Sequence, residues 1–237
     1  MPFLQLDITD AQARDQLLRV MRSAFPVAML QLPTVFALIA PPTEAGVEAL
    51  NKAKNRIVGK YYGSAIGELS AFVAMALQQH VPDHFRNDLQ SMRVMEGAFI
   101  RLKVTNGMDD TACVTNGTHQ GLLVSEGPER MLFRAIEEAF ALNAPNALFA
   151  GGSYYAPICT SANVSGDPLG SIVDMERALR FADERNISLV ISNSTEKSDE
   201  SGSYPIFSFD RNTVSVMRRG PRQERILRAL PTTIVVR

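Results

Sequence analysis

Residues 159–165 read Cys-Thr-Ser-Ala-Asn-Val-Ser, between the apolar run Ala156-Pro157-Ile158 and the turn Gly166-Asp167-Pro168. An apolar run that ends in small polar residues and then Gly-Asp-Pro has the pattern of a buried strand closing in a polar turn. Ser161 and Asn163 are two apart, so on extended backbone they face the same side. Thr160, Ser161, Asn163 and Ser165 supply donors and acceptors with little bulk, which suits a phosphate or an amino-acid head group. The same side chains can instead bond their own turn. A second group is Lys52, Lys54, Arg56 and Lys60, four cations within nine residues. Cations gather at helix C-termini to meet unpaired carbonyls. Here, however, Gly59 and Gly63 bracket Lys60-Tyr61-Tyr62, which implies irregular backbone from which Lys and Arg can converge on a polyphosphate. A third group, Met217-Arg218-Arg219-Gly220-Pro221-Arg222, follows an apolar alternation. It matters only if Arg218 or Arg219 folds back near Ser161.

The elements that must hold these groups alternate between strand and helix. Asp10 caps a helix running to residue 24, with Ala11, Leu17, Leu18 and Met21 on its apolar side. Residues 27–40 are apolar and short of charge, and predict one buried strand bent at Pro33. Thr43 caps the next helix, with Val47, Leu50 and Ala53 inward, and the basic group lies at its end. Helices are predicted over 67–79 and 84–92, then a half-exposed strand over 98–105, a loop over 106–118 and a short strand over 122–125. A helix over 128–142 turns Met131, Leu132, Ala135, Ile136 and Ala139 inward and leaves Glu137 and Glu138 exposed. A helix over 171–185, a strand over 188–191 and a polar loop over 193–203 follow. The strands 206–209 and 214–217 pair as a hairpin. A helix over 222–230 and a strand over 233–236 complete the sequence. No internal repeat or linker divides it, so it reads as a single α/β domain over 1–237, built on a twisted mixed sheet.

Composition excludes several functions. With 237 residues, 46% of them hydrophobic, the chain can bury a substantial core, and a net charge of −1 argues against a general polyanion binder. Cys113 and Cys159 do not make a disulfide framework, and a reducing cytoplasm is the expected compartment. The N-terminal residues lack the pattern of a signal peptide, and no apolar run reaches the roughly 18 residues that cross a bilayer. His80, His84 and His119 are scattered without metal-ligand spacing, so no metal ligands are expected. Cys159 reads as a core thiol, and Asp109-Asp110 as a solvated loop pair.

Taken in order, four segments resemble the YrdC-type threonylcarbamoyl-AMP synthase family. They are Pro33-Thr34-Val35-Phe36-Ala37-Leu38; Lys54-Asn55-Arg56-Ile57-Val58-Gly59-Lys60; Thr160-Ser161-Ala162-Asn163-Val164-Ser165-Gly166; and Val214 to Gly220 with its Arg-x-Gly turn. The resemblance spans about residues 27–220 and leaves 221–237 as a C-terminal extension. It implies a YrdC-like sheet with flanking helices around a large concave cationic cavity. The reaction it implies joins threonine or another amine, bicarbonate and ATP into a carbamoyl-adenylate and pyrophosphate, usually with Mg2+, and is linked to threonylcarbamoyl modification of tRNA. By matching positions, Lys54, Arg56 and Lys60 would hold phosphates and carboxylates. Ser161 and Asn163, within Thr160–Ser165, would bind nucleotide or amino acid. Thr34 would shape the amino-acid pocket, and Arg218 would lie at the nucleotide end.

The sequence also departs from that pattern. Leu32-Pro33-Thr34 lacks the family's aspartate, Ala98-Phe99-Ile100 replaces a hydroxyl with an apolar group, and the expected arginine is missing near Ser125-Glu126-Gly127-Pro128. Ile206-Phe207 stand where two hydroxyls would. Each lost charged or buried hydrogen bond is worth about 1–3 kcal/mol. Two alternatives to the synthase follow: a double-stranded RNA-binding (or tRNA-binding) protein using Lys52–Lys60 with Arg218, Arg219 and Arg222, and an anion-binding protein without turnover.

Overall fold

In the computed structural model, residues 3–57, 59–104, 110–142, 146–149, 152–195 and 198–237 are described. Their strands form one mixed sheet of eleven, in the order β1-β8-β2-β3-β7-β4-β6-β5-β9-β10-β11. The strands are β1 (Leu4–Asp7), β2 (Ala28–Gln31), β3 (Phe36–Ala40), β4 (Gly63–Ala65), β5 (Ala98–Lys103), β6 (Thr118–Leu123), β7 (Ile158–Ser161), β8 (Leu189–Ser192), β9 (Ile206–Asp210), β10 (Thr213–Arg218) and β11 (Val235–Val236). The helices are α1 (Ala13–Met21), α2 (Glu44–Lys54), α3 (Leu69–Ala74), α4 (Asp83–Asn87), α5 (Pro128–Phe140), α6 (Met175–Glu184) and α7 (Gln223–Ala229). The α/β class and the single twisted sheet with flanking helices are as the sequence predicts.

Alternation along the central strands divides the core in two. Met29 and Leu38 face α2 and α6, where Ala49, Leu50, Ala53, Ala178, Phe181 and Ala182 are buried. Ala28, Leu30, Ala37 and Ile39 face the opposite core, with Leu17 and Met21 of α1 and Leu132, Phe133 and Ile136 of α5. Central strands covered on both faces read as unbroken apolar runs. That is why residues 27–40 look like one strand. They are in fact the antiparallel hairpin β2–β3, because Pro33 has no N–H to continue a ladder and Leu32 and Val35 close the turn on each other.

The capping prediction at Thr43 holds, with its hydroxyl accepting from the Gly46 N–H at 3.2 Å. Asp10 does not cap α1. Its carboxylate accepts the Asp7 N–H at 2.7 Å, and the helix begins at Ala13. Met131 is 64% exposed, one position off the Leu132–Ala135–Ile136 face. Glu137 is buried rather than exposed, and accepts the Gly67 and Glu68 N–H groups at 3.0 and 2.8 Å, so that α5 anchors the entry to α3. Burial pushes the Glu137 carboxyl up to about 7, opposed by those two bonds. Residues 221–237 are built into the same core, where Ile226 and Ile234 are buried and β11 pairs parallel with β10. Asp109 and parts of the loops over 106–118 and 193–203 lie outside the described residues, while the Asp110 carboxylate accepts the Asn116 N–H at 2.7 Å. No helix among the described residues is long and apolar enough to cross a membrane.

Candidate functional site

The site follows from how β7 ends. The strand pairs with β3 as far as Ser161, opposite Ala37, and the C-terminus of α2 delivers Lys54 over that end and the turn beyond it. The Lys54 ammonium is buried and donates to Ser161 O at 2.5 Å, Asn163 O at 2.9 Å and Asn163 Oδ1 at 2.9 Å. An ammonium has three donors, so these bonds use all of them. Burial, followed by the charges of Arg56 and Lys60, pulls its pKa down to about 7. A Lys54 O bond from Ser165 N at 2.9 Å closes the same clasp. Asn163 Oδ1 also accepts from the Ser161 hydroxyl at 3.0 Å, and its Nδ2 donates to Val164 O at 2.9 Å.

Beside this clasp lies a cavity of about 360 Å³ on the α5 side of the sheet. Its floor is apolar, with Ala37 of β3, Cys159 of β7, Leu122 of β6 and Phe99 of β5. Gly63 of β4 keeps that floor low, because a Cβ there would lie 2.5 Å from the Phe99 ring. Lys54, Arg56, Lys60, Thr160, Ser161, Asn163, Ser165 and Arg218 all line this cavity. Thr34 does not. It is buried in the β2–β3 turn, where its carbonyl accepts Gly202 N at 2.8 Å, and its neighbours Leu32 and Val35 face the cavity instead.

Arg56 gives Nη2 to Tyr61 O at 2.6 Å and Nε to Lys60 O at 3.4 Å, and its guanidinium lies 3.9 Å from the centre of the Tyr62 ring. Burial lowers its pKa and lifts that of Tyr62 to about 12. Arg218 donates Nε and Nη2 to Tyr204 O, at 3.0 and 2.6 Å. Ser165 Oγ is sealed from solvent without a partner. Burial raises the Cys159 thiol well above its usual range, so it offers no thiolate nucleophile. Gln120, Tyr204 and Tyr61 also line the cavity, and no sequence motif marked them. Gln120 falls between the loop expected over 106–118 and the strand expected over 122–125, whereas β6 begins at Thr118 and includes it.

Among the described residues, none of Lys54, Arg56, Lys60 and Arg218 forms an ion pair, and the cavity lining contains no carboxylate. Nor do the described residues hold a His, Cys, Asp and Glu cluster able to bind a metal. The lining therefore does not fit resident Mg2+, and a divalent ion would have to arrive on a nucleotide's own phosphates.

No family profile and no curated protein matches the sequence. Solved structures do match. P. abyssi Sua5 complexed with L-threonine superposes with a TM-score of 0.70 at 15% identity, covering 100% of this chain and 63% of Sua5. E. coli YciO gives 0.64 at 13% identity over 93% of this chain and 95% of its own. HypF in a phosphate- and nucleotide-bound form gives 0.61 at 15% identity over 89% of this chain and 29% of HypF. The chain thus spans under two thirds of Sua5, and its fold is YrdC-like.

Proposed function

We propose that this protein is a nucleotide-dependent carbamoyl-adenylate synthase, taking threonine or another amine, bicarbonate and ATP to a carbamoyl-AMP and pyrophosphate. The observation that carries the reading is the cavity itself: four cations converge on it with no protein anion to neutralise them. Its fold supports the reading, since one similar structure holds L-threonine and another phosphate and nucleotide.

The amine and bicarbonate condense to a carbamate with loss of water. A carbamate oxygen then attacks the α-phosphorus of ATP, the bond to the bridging oxygen breaks, and pyrophosphate leaves. Such a transfer needs no protein nucleophile; it needs alignment and charge neutralisation. Arg56 retains three of its five N–H groups for phosphate oxygens after its two backbone bonds, and Lys60 is exposed at the mouth. Lys54 acts as a positioning residue. It fixes the β7 turn so that Thr160 and the remaining Asn163 amide hydrogen face the guest. The carbamoyl-adenylate would then serve threonylcarbamoyl modification of tRNA.

The test is pyrophosphate release from ATP, bicarbonate and each amino acid in turn. Release is expected only with all three components. A melting-temperature rise with nucleotide or phosphate but no pyrophosphate with any amino acid would replace the synthase with an anion-binding protein. Steeply salt-dependent RNA affinity, lost in Lys60→Ala, would replace it with an RNA binder.

A further inference from the structure

The β5 strand carries a cation that no motif singled out. Arg101 stands between Ile100 and Leu102, both buried in the α2-side core, and so faces the opposite side with Phe99, which lines the cavity. Its cross-strand partner on β6 is Gln120, another cavity residue, whose Oε1 accepts from Arg101 Nη2 at 2.7 Å. Arg101 Nε is sealed from solvent and has no hydrogen-bond partner. The Arg218 guanidinium lies 5.7 Å from the centre of the Phe99 ring, and after burial the charge of Arg101 is among the influences that lower the Arg218 pKa. Two residues further along β5, Lys103 is neutralised by Asp210 at 3.3 Å. Arg101 has no ion pair among the described residues. A half-buried guanidinium with an orphan N–H, facing a second guanidinium, is costly unless an anion joins them.

We propose that Arg101, which borders the cavity behind its lining residues Gln120 and Phe99, anchors a second anion subsite there, completed by Gln120 and Arg218, and that it takes an oxyanion, either phosphate or carboxylate. The strands β7, β4, β6 and β5 are consecutive, so three strand spacings, roughly 14 Å, separate this subsite from the Lys54 clasp. One elongated guest with an anionic group at each end reaches both. Which end carries phosphate rests on the synthase reading above; the existence of the subsite does not.

Calorimetric titration of the full chain tests it, with sodium pyrophosphate as the phosphate probe and threonine and aspartate as carboxylate probes. Arg101→Gln is expected to weaken at least one probe tenfold or more. Loss with pyrophosphate assigns a phosphate, and loss with the amino acids alone assigns a carboxylate. Arg101→Lys restores part of the affinity. Lys103→Gln, the same charge change on the same strand, leaves every affinity within twofold. Gln120→Leu, which frees Nη2 but keeps the charge, costs about threefold and carries the test if Arg101→Gln does not fold. The proposal is overturned if folded Arg101→Gln, or Gln120→Leu in its place, binds every probe as the wild type does, or if the wild type binds none. Failure of pyrophosphate release with the Arg101 effect intact would remove the synthase and leave the subsite.

Discussion

Replacing Lys54 with methionine separates two roles that the sequence could not distinguish. Methionine keeps most of the length of the side chain and removes the charge, leaving Ser161 O and Asn163 O without their Lys54 donor and Asn163 Oδ1 with the Ser161 hydroxyl alone. Hydrogen bonds to a charged group contribute about 1.5–3 kcal/mol each. Against three of them stands the relief of no longer burying an ammonium, and cavity water can reach some of the freed carbonyls. A net loss of about 3 kcal/mol is the balance, and at 2–4 °C per kcal/mol for a chain of this size it lowers Tm by roughly 6–12 °C. Differential scanning calorimetry at pH 6, below the lowered Lys54 pKa, reads it directly. Nucleotide affinity measured well below the lowered Tm should fall as well, because the turn bearing Asn163 and Ser165 loses its clasp. A Tm within 1 °C of wild type would refute the clasp and return Lys54 to the role of a free phosphate ligand. A lysine that only bound phosphate could be truncated with loss of binding alone; the three saturated donors are why a stability cost is expected as well.

Two further outcomes follow. The His119 ring is buried, with Nδ1 2.8 Å from Cys113 O and Nε2 2.8 Å from the Ser64 hydroxyl, and burial lowers its pKa from 6.5 to about 4. The unfolded chain then binds the extra proton between those values, so stability falls by about 3 kcal/mol as pH drops from 6.5 to 4; urea unfolding of His119→Gln should show a shallower acid loss, and parallel acid losses in the two proteins would contradict it. Gly220→Ala puts a Cβ 2.4 Å from Ser203 O and 2.6 Å from Pro205 N, which is backbone and cannot swing aside. It should cost about 1–3 kcal/mol and loosen the Arg218 bonds to Tyr204 O, so an unchanged Tm would mean that the 203–205 segment yields freely.

Much of the site was legible because its chemistry sits in contiguous segments. Thr160–Ser165 and Lys54–Lys60 each announce themselves by residue type, and the structure brings both to one cavity with Arg218. What the sequence hid depends on pairing between distant strands. Gln120 and Arg101 meet only because β5 and β6 are in register, and each alone looks like the polar half of an alternation. Glu137 looked exposed because its partners, Gly67 and Glu68, arrive from another element. The three-residue strand β4 and the four-residue β1 were too short to leave a pattern. The β2–β3 turn was masked because Leu32 and Val35 flank Pro33-Thr34 and no Gly, Asn or Asp marks it. Thr34 sits in that turn rather than on a strand, so its side chain is buried there while Leu32 and Val35 line the cavity.

The parallel pairing of β8 with both β1 and β2 has a consequence for biosynthesis. The β2–β3 hairpin can close as soon as it leaves the ribosome, but the other edge of β2 stays open until Leu189 emerges, 161 residues after Ala28 (189 − 28). At about 5–20 residues per second that is a wait of roughly 8–30 s. Throughout it, an uncharged and largely apolar ribbon presents unpaired amides to every other nascent chain nearby. Slowed translation should therefore lower the soluble yield of this protein, and a holdase that covers residues 27–40 should restore it.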